Sequence, residues 1–358
     1  LDIDRPVRIM NVCGGHERAI SMAGLRTAIP DNIELVPGPG CPVCICPEED
    51  VFEAIQLALN EDITLVAFGD MLRVPVNVPK REPRSLEQAR AAGGDIRPIA
   101  TPTEAVRIAR ESPDRKVVYF AAGFETTTAP VAAMLAEGVP DNLLVLLSGR
   151  LTWPAVAMLL DSGEPGFDAL IAPGHVSTVM GPEEWEFVSS RHQIPSAIAG
   201  FRPDTLLAAM VSVLKQLENG DHRLDNCYPE VVRPGGNPAA KEQLASVMEV
   251  GDANWRGIGV IPDSGYQLRE PYAAHDARRH FPSYADDSRK RVGEMPPGCD
   301  CARVVLGRLY PNQCRLYGNA CTPQNPVGPC MVSDEGACRI WWASGLRENV
   351  GQDKAAAS

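Results

Sequence analysis

Six of the eleven cysteines of this 358-residue chain lie between residues 299 and 338. Cysteine thiolates are soft ligands that bind zinc, copper(I) or iron–sulfur clusters. Structural zinc sites usually contain two C-x2-4-C pairs, whereas the only close pair here is separated by a single residue. Widely spaced ligands favour a [4Fe–4S] cluster, with zinc as the second interpretation. Spacing alone does not select four ligands from the six, which are Cys299, Cys301, Cys314, Cys321, Cys330 and Cys338.

A second group of cysteines lies in the Gly- and Pro-rich loop formed by residues 37–47, between a predicted strand and a predicted helix. Cys41 and Cys44 form a C-x-x-C pair near the start of that helix. Helix N-termini favour thiolates, so this pair is suited to cycling between dithiol and disulfide. Cys46 adds a third thiol, which keeps metal binding open as the alternative.

The sequence Cys13-Gly14-Gly15-His16-Glu17 follows the first predicted strand. A cysteine and a histidine three residues apart in a Gly-rich loop can present a thiolate and an imidazole to one iron or zinc ion. The alternative is a nucleophilic cysteine with the histidine as its base.

Polar residues also follow three other predicted strands, as Gly69-Asp70, Gly123-Phe124-Glu125-Thr126-Thr127 and Gly174-His175. In open α/β sheets, ligands bind at the carboxyl ends of the strands, so these groups are expected at the edges where ligands bind. Helix capping is an equal alternative for the Glu125 segment, and His175 could be an ordinary loop residue. The chain contains neither G-x-x-x-x-G-K-[ST] nor G-x-G-x-x-G, so a nucleotide site is not supported.

The elements that would position these residues alternate along the first two thirds of the chain. Alternating strands and helices predict an α/β fold with parallel sheets and helices on both faces. The predicted strands cover residues 7–12, 33–36, 63–68, 96–100, 116–120, 143–147, 169–172 and 197–199. The predicted helices cover residues 48–59, 103–111, 129–136, 154–160, 204–218 and 239–248.

The eight strands fall into two consecutive sets of four, which predicts two similar α/β domains over residues 1–100 and 101–222. Residues 223–358 are then expected to form a smaller cysteine-rich domain, with strand patterning fading after residues 258–261. Residues 296–339 are dense in Cys, Pro and Gly and cannot build a large apolar core. A bound metal centre would help to fix them.

Charge and composition narrow the class of protein. The formal net charge is −12 and the pI is about 5.1, which argues against nucleic acid or an anionic membrane as the main partner. No apolar run is long enough to suggest a membrane span. A long chain with an odd number of cysteines and no signal-peptide pattern predicts a reducing cytoplasm.

These motifs together resemble the HypD family of hydrogenase maturation proteins. The resemblance runs from about residue 7 to about residue 342 and rests on the CGGHE sequence, the loop at residues 37–47, GFETT, APGH and the segment from Cys321 to Cys338. It implies two α/β domains with a cluster domain. It also implies that Cys299, Cys314, Cys321 and Cys338, spaced x14, x6 and x16, hold the [4Fe–4S] cluster.

The resemblance further implies a role in assembling the Fe(CN)2CO unit of [NiFe] hydrogenase. The partners would be a small HypC-type chaperone, which shares the iron, and a HypE-type protein, which supplies cyanide. Cys13 would be a ligand of that iron, and Cys41 and Cys44 the redox-active pair. Polar residues at His16, Asp70, Glu125 and His175 would line the central cleft. Cys46 and Cys330 receive no role from the resemblance.

The resulting hypothesis is an assembly scaffold with redox activity rather than a conventional turnover enzyme. Two other classes remain open. One is a stand-alone iron–sulfur thiol–disulfide reductase that uses Cys41 and Cys44, and the other is a structural zinc protein with a binding role only.

Overall fold

The computed structural model describes residues 3–284 and 295–348. Contacts between residues divide the chain into two units, and each unit is assembled from separate stretches of sequence. The first unit contains residues 1–41, 152–238 and 298–358, and the second contains residues 42–151 and 239–297. The sequence had instead predicted three consecutive domains.

The first unit contains a five-stranded parallel sheet with the strand order β2-β1-β7-β8-β9. The strands consist largely of buried apolar residues, as is typical of parallel sheets covered on both faces. Their bounds are β1 Val7–Asn11, β2 Ile33–Pro37, β7 Ala169–Pro173, β8 Ser196–Ala199 and β9 Leu224–Asn226.

Helices cover the sheet of the first unit, and the longest of them, α11, spans Pro203–Asn219. Its apolar side includes Leu206, Met210 and Val213, which pack with Ile9 and Ile171 of the sheet in one core. The other helices of the unit are α1 Gly14–Met22, α2 Leu25–Ala28, α8 Trp153–Asp161, α9 Gly174–Met180, α10 Glu186–Ser190, α14 Cys301–Val305 and α15 Ala337–Ala343.

The second unit contains a four-stranded parallel sheet with the order β4-β3-β5-β6. Its strands are β3 Ile63–Phe68, β4 Ile96–Ile99, β5 Lys116–Gly123 and β6 Leu143–Gly149. Its helices are α3 Pro42–Ile45, α4 Glu48–Asn60, α5 Leu86–Ala91, α6 Pro102–Glu111, α7 Glu125–Ala136, α12 Pro238–Val247 and α13 Ala277–His280, with Pro238 of α12 at the unit boundary. The prediction of an α/β protein with two parallel sheets is confirmed.

The sheets do not follow the two consecutive sets of four strands. The first sheet combines β1 and β2 with β7, β8 and β9, and the second takes the four strands between them. The chain therefore leaves the first unit after β2 and returns to it before β7. Alternating strands and helices predict parallel pairing, but they do not specify which strands become neighbours.

An antiparallel hairpin in the second unit corrects a second expectation. Strands β10 Met248–Trp255 and β11 Gly259–Leu268 pair along their length, where sequence patterning had indicated only residues 258–261. Buried and exposed residues do not alternate regularly along the hairpin, because the register of the two strands shifts between Gly251 and Ala253. Trp255 is fully buried and donates its indole N–H to Ser264 Oγ at 2.9 Å.

The cysteine-rich segment from Gly298 onward belongs to the first unit. It consists of short helical turns and loops, including α14 and α15, and its thiols at Cys301 and Cys330 are buried. Across residues 3–284 and 295–348, no helix has the length and apolar character needed to cross a membrane.

Candidate functional site

Cys13 lies where β1 ends and α1 begins, at the carboxyl edge of the first unit's sheet. It is the N-cap residue of α1, with an extended backbone (φ −161°, ψ 128°). The chain after the neighbouring strand β2 passes directly against it, since the Gly14 N–H donates to the Gly40 carbonyl at 3.1 Å. A Cβ atom on Gly40 would lie 2.4 Å from the backbone nitrogen of Cys13. Only glycine permits this approach, which brings the residue before Cys41 against Cys13.

Two opposing influences act on the Cys13 thiol. Burial, and then the negative charge of Glu335, raise the pKa of Cys13 to about 12. The backbone N–H groups of His16 and Gly15 at the start of α1 act in the opposite direction because they favour the thiolate. Without a cation beside it, Cys13 therefore keeps its proton at neutral pH. A bound metal ion would displace that proton.

His16 lies on the first turn of α1 and is fully buried. Its Nε2 atom is 3.0 Å from the carbonyl oxygen of Ala199, at the end of β8. Burial lowers the pKa of His16 to about 4, so the ring is neutral at pH 7. Among the residues that the structure describes, no group bonds to its Nδ1 atom. A neutral imidazole with one ring nitrogen hydrogen-bonded and the other without a hydrogen bond is suited to binding a metal ion.

Phe201 lies between the two histidines of this edge. Its ring stacks on His175 with centroids 3.7 Å apart and packs against His16 with centroids 4.9 Å apart. His175 is the second residue of α9, the helix that follows β7, and partial burial lowers the pKa of its ring. The structure thus brings Cys13, His16 and His175 to the carboxyl ends of β1 and β7, as the sequence predicted for strand ends of one sheet.

Cys41 and Cys44 are joined in a disulfide. Cys44 lies on α3. The expected proximity to a helix N-terminus is present, because α3 begins at Pro42.

Cys46 is buried in a polar part of the second unit. Its sulfur is 3.5 Å from Ser148 Oγ, and Ser148 donates to Asp50 Oδ2 at 2.5 Å. Burial, and then the charge of Asp50, raise the pKa of Cys46 to about 12. This thiol is therefore protonated and hydrogen-bonded within the second unit, which gives the third cysteine of the loop a structural role.

Asp70 and Glu125 lie in the second unit, where they follow β3 and β5. These strands are parallel neighbours, so both residues lie at the same edge of their sheet. Asp70 is exposed in a short 3-10 turn, Gly69–Arg73, whereas Glu125 is fully buried as the first residue of α7. Glu125 thus lies at the N-terminus of a helix, where the helix dipole stabilises an acid, and also just after the carboxyl end of a strand.

The six C-terminal cysteines form one cluster of thiols in the first unit. Cys299 Sγ is 3.3 Å from Cys301 Sγ, and Cys301 is hydrogen-bonded to both Cys330 and Cys338. Cys299 also interacts electrostatically with Cys314 and Cys321. Burial raises the pKa of Cys314 and that of Cys321, and for Cys321 the N–H groups of Gly328 and Val327 partly oppose the rise.

The chemistry of this donor set fits an iron–sulfur cluster. All six donors are thiols, and backbone N–H groups such as that of Val327, 3.4 Å from Cys321 Sγ, are already directed at sulfur. A Cβ atom on Gly328 would lie 2.4 Å from Cys299 Sγ, so glycine is needed there. Among residues 3–284 and 295–348, no three His, Cys, Asp or Glu side chains are placed to hold a single metal ion. A [4Fe–4S] cluster takes one ligand at each of four separate irons, and six thiols are available in this segment.

Two residues at the Cys13 site were not predicted from the sequence. Phe201 follows β8, so the same strand-end argument could have identified it. Glu335 lies more than three hundred positions from Cys13 in the sequence, and a Cβ atom on Gly14 would lie 2.4 Å from the Cβ atom of Glu335. No local pattern in the sequence indicates that contact.

Known proteins resemble this chain along almost its whole length. Residues 1–345 match the family model named HypD, which is described as "Hydrogenase formation hypA family". Hydrogenase maturation factor HypD2 of Bradyrhizobium diazoefficiens is 39% identical over 354 residues, covering 96% of this chain and 91% of that protein. Hydrogenase maturation factor HypD of Escherichia coli K12 is 39% identical over 347 residues, covering 95% and 89%.

A putative hydrogenase expression/formation protein, MJ0993 of Methanocaldococcus jannaschii, is 38% identical over 339 residues, covering 94% of this chain and 91% of that protein. The resemblance seen in the sequence motifs is therefore confirmed along almost the whole chain. The chain belongs to the HypD family of hydrogenase maturation factors.

Proposed function

We propose that this maturation factor is a cytoplasmic scaffold on which the Fe(CN)2CO unit of [NiFe] hydrogenase is assembled, with Cys13 as a ligand of the substrate iron. The observation that carries the proposal is the start of α1. There a cysteine with N–H groups directed at its sulfur lies three residues before a buried histidine with a low pKa. A thiolate and a neutral imidazole are ligands that iron accepts.

The remaining ligands would come from a partner protein. The residue Cys13 as a whole is only half-buried, so a small HypC-type chaperone would dock beside it and complete the coordination of the iron. A HypE-type protein would then supply cyanide groups. An acidic chain whose cysteines outside the Cys41–Cys44 pair are free thiols is consistent with work in a reducing cytoplasm.

The Cys41–Cys44 pair supports a redox contribution. When the two thiols close to a disulfide, they release two electrons and two protons. A carrier-bound thiocyanate group takes up two electrons as its S–C bond breaks, which gives cyanide and the carrier thiolate, so the two half-reactions balance. The backbone contact between Gly40 and Cys13 holds the start of this loop beside the proposed iron ligand. Reduction of the disulfide must precede each such exchange.

Cys299, Cys314, Cys321 and Cys338 are the residues that would hold a [4Fe–4S] cluster. When bound, such a cluster supplies electrons singly. The chain's own contribution is to exclude water from the thiols and to direct N–H groups at them, both of which tune a sulfur-ligated centre.

A second candidate is a stand-alone thiol–disulfide reductase. The disulfide at Cys41 and Cys44, close to a helix N-terminus, favours it. Activity on a generic disulfide without any partner protein would distinguish this function from the scaffold.

Replacing Cys13 tests the scaffold directly. The chain is purified without oxygen together with its small partner, and infrared bands of iron-bound CN and CO are recorded. Cys13→Ala should lower the bands by more than about tenfold, since losing an iron ligand should cost at least as much as losing an outer-sphere contact. Cys227→Ala, which removes another half-buried free thiol, is the control. Undiminished bands in Cys13→Ala would rule out the ligand role.

The dithiol contribution is tested with Cys41→Ser. This variant cannot form the disulfide, so cyanide loading on the iron should fall to background, and reduction should no longer release two extra thiols in a thiol titration. Cys46→Ser should load cyanide normally because Cys46 is held by Ser148 in the second unit. Normal loading in Cys41→Ser would contradict the redox role.

The choice of cluster ligands is tested with a pair of serine variants. Cys314→Ser should remove the brown colour and most of the iron and sulfide, because a thiolate ligand is lost. Cys301→Ser should retain both, although Cys301 belongs to the same group of thiols. Iron and sulfide analysis with visible absorption provides the measurement. The reverse outcome would assign Cys301 as the ligand, and a colourless zinc-containing wild type would exclude the cluster.

The neutral state of His16 is tested by the pH dependence of stability. Its folded pKa of about 4 lies below the unfolded value of 6.5, so its contribution is present above pH 6.5 and is lost as the pH falls. Between pH 7 and pH 5 the wild type should lose about 2 kcal/mol of unfolding free energy relative to His16→Gln. Urea unfolding of the metal-free chain measures this difference. The exposed His222→Gln variant should follow the wild type, and parallel curves for His16→Gln and the wild type would contradict a neutral buried His16.

A further inference from the structure

Glu17 is a buried acid on α1 that the proposed chemistry does not use. It is 2% exposed and accepts hydrogen bonds from three side chains. The Trp341 indole N–H donates to Oε1 at 2.7 Å, Arg26 Nη2 donates at 2.7 and 2.8 Å, and Asn11 Nδ2 donates at 3.1 Å. Arg26 also lies over the ring of Trp341, 5.1 Å from its centroid. Three donors on one buried carboxylate fix its position firmly.

This carboxylate joins two parts of the first unit that carry different chemistry. Glu17 follows His16 directly and lies about one helical turn after Cys13. Trp341 lies on α15, three residues after Cys338 and therefore about one turn away from it. The Glu17–Trp341 hydrogen bond consequently connects the helix that begins at Cys13 with the helix that carries a C-terminal thiol.

A second contact joins the same two segments. Glu335, which precedes α15, packs so closely on Gly14 that any side chain at Gly14 would collide with it. The start of α1 is thus held by Glu335 and its middle by Trp341. A displacement of α15 cannot leave α1 unchanged unless both contacts break.

We infer that Glu17 is a positioning residue that couples the occupancy of the C-terminal cysteine site to the geometry of Cys13 and His16 through its hydrogen bond to Trp341. The inference rests on the proposed function for the roles of Cys338 and Cys13. A group bound to Cys338 restrains α15, the hydrogen bond transmits that restraint to α1, and Cys13 becomes less accessible to small reagents.

The test compares the alkylation rate of Cys13 by iodoacetamide in the cluster-loaded full chain and in the chain stripped of its cluster. The Cys41–Cys44 pair is kept in one redox state, and Cys13 is followed by peptide mass spectrometry. In the wild type, loading should slow the reaction about fivefold, which is the size of effect that one hydrogen bond can carry.

Two tryptophan variants provide the matched comparison. Trp341→Phe keeps an aromatic ring but removes the N–H donor to Glu17, so loading should no longer change the Cys13 rate. Trp342→Phe makes the same change one residue along α15, where the ring contacts Tyr317 and Arg347 instead. This variant should keep the fivefold effect. Glu17→Gln should weaken the slowing of Cys13 alkylation by cluster loading. Glu17→Asp, which keeps a carboxylate, should show a larger slowing than Glu17→Gln.

The outcomes separate the inference from the proposed function. If the wild type binds a cluster and Cys13 reacts equally fast with and without it, the coupling is overturned and the scaffold function stands. A coupling that survives in Trp341→Phe overturns the assigned route. A wild type that binds no cluster overturns both.

Hydrogen exchange on the wild type provides a measurement that needs no variant. Loading should slow amide exchange in α1 about fivefold, while α6 of the other unit serves as the internal reference. Unchanged exchange in α1 would also overturn the coupling.

Discussion

The parallel pairing of β1 with β2 and β7 is the constraint on which the site of the first unit depends. Because parallel strands end at one edge, the loops after β1, β2, β7 and β8 must converge there. Gly40 has no side chain, so the β2 loop can lie against the backbone of Cys13. A proposed iron ligand, two histidines and the first cysteine of a disulfide thereby share one edge.

Burial gives this edge its chemical character. It raises the pKa of the Cys13 thiol and lowers that of the His16 ring, so both groups are uncharged when no cation is present. A bound metal ion would displace the proton of the Cys13 thiol, whereas the neutral His16 ring could bind the ion without losing a proton. Both groups are therefore buried without an unpaired charge, and the iron proposed for this edge would meet a neutral imidazole and a thiol that can lose its proton.

The cysteine-rich segment illustrates a different way to hold a structure together. It has few regular elements, yet its contacts place it in the same unit as β1 and α1 rather than in a separate domain. Glu17, Trp341 and Glu335 supply the polar and steric contacts that join it to α1. Alongside its buried apolar side chains, such as Val304, Met331 and Ile340, the segment thus makes specific contacts with the sheet-bearing part of the unit.

The sequence by itself determined the local elements and the chemical types at their ends. Strands such as β3, at residues 63–68, follow from short apolar runs, and the positions of Cys13 and His175 after strands follow from the same runs. It did not determine which strands are neighbours, the β10–β11 hairpin, or the contact of Glu335 with Gly14. Local patterning reports which face of an element is buried, whereas neighbours are chosen by the complementarity of whole surfaces. Only the tertiary structure decided that the C-terminal thiols and Cys13 belong to one unit.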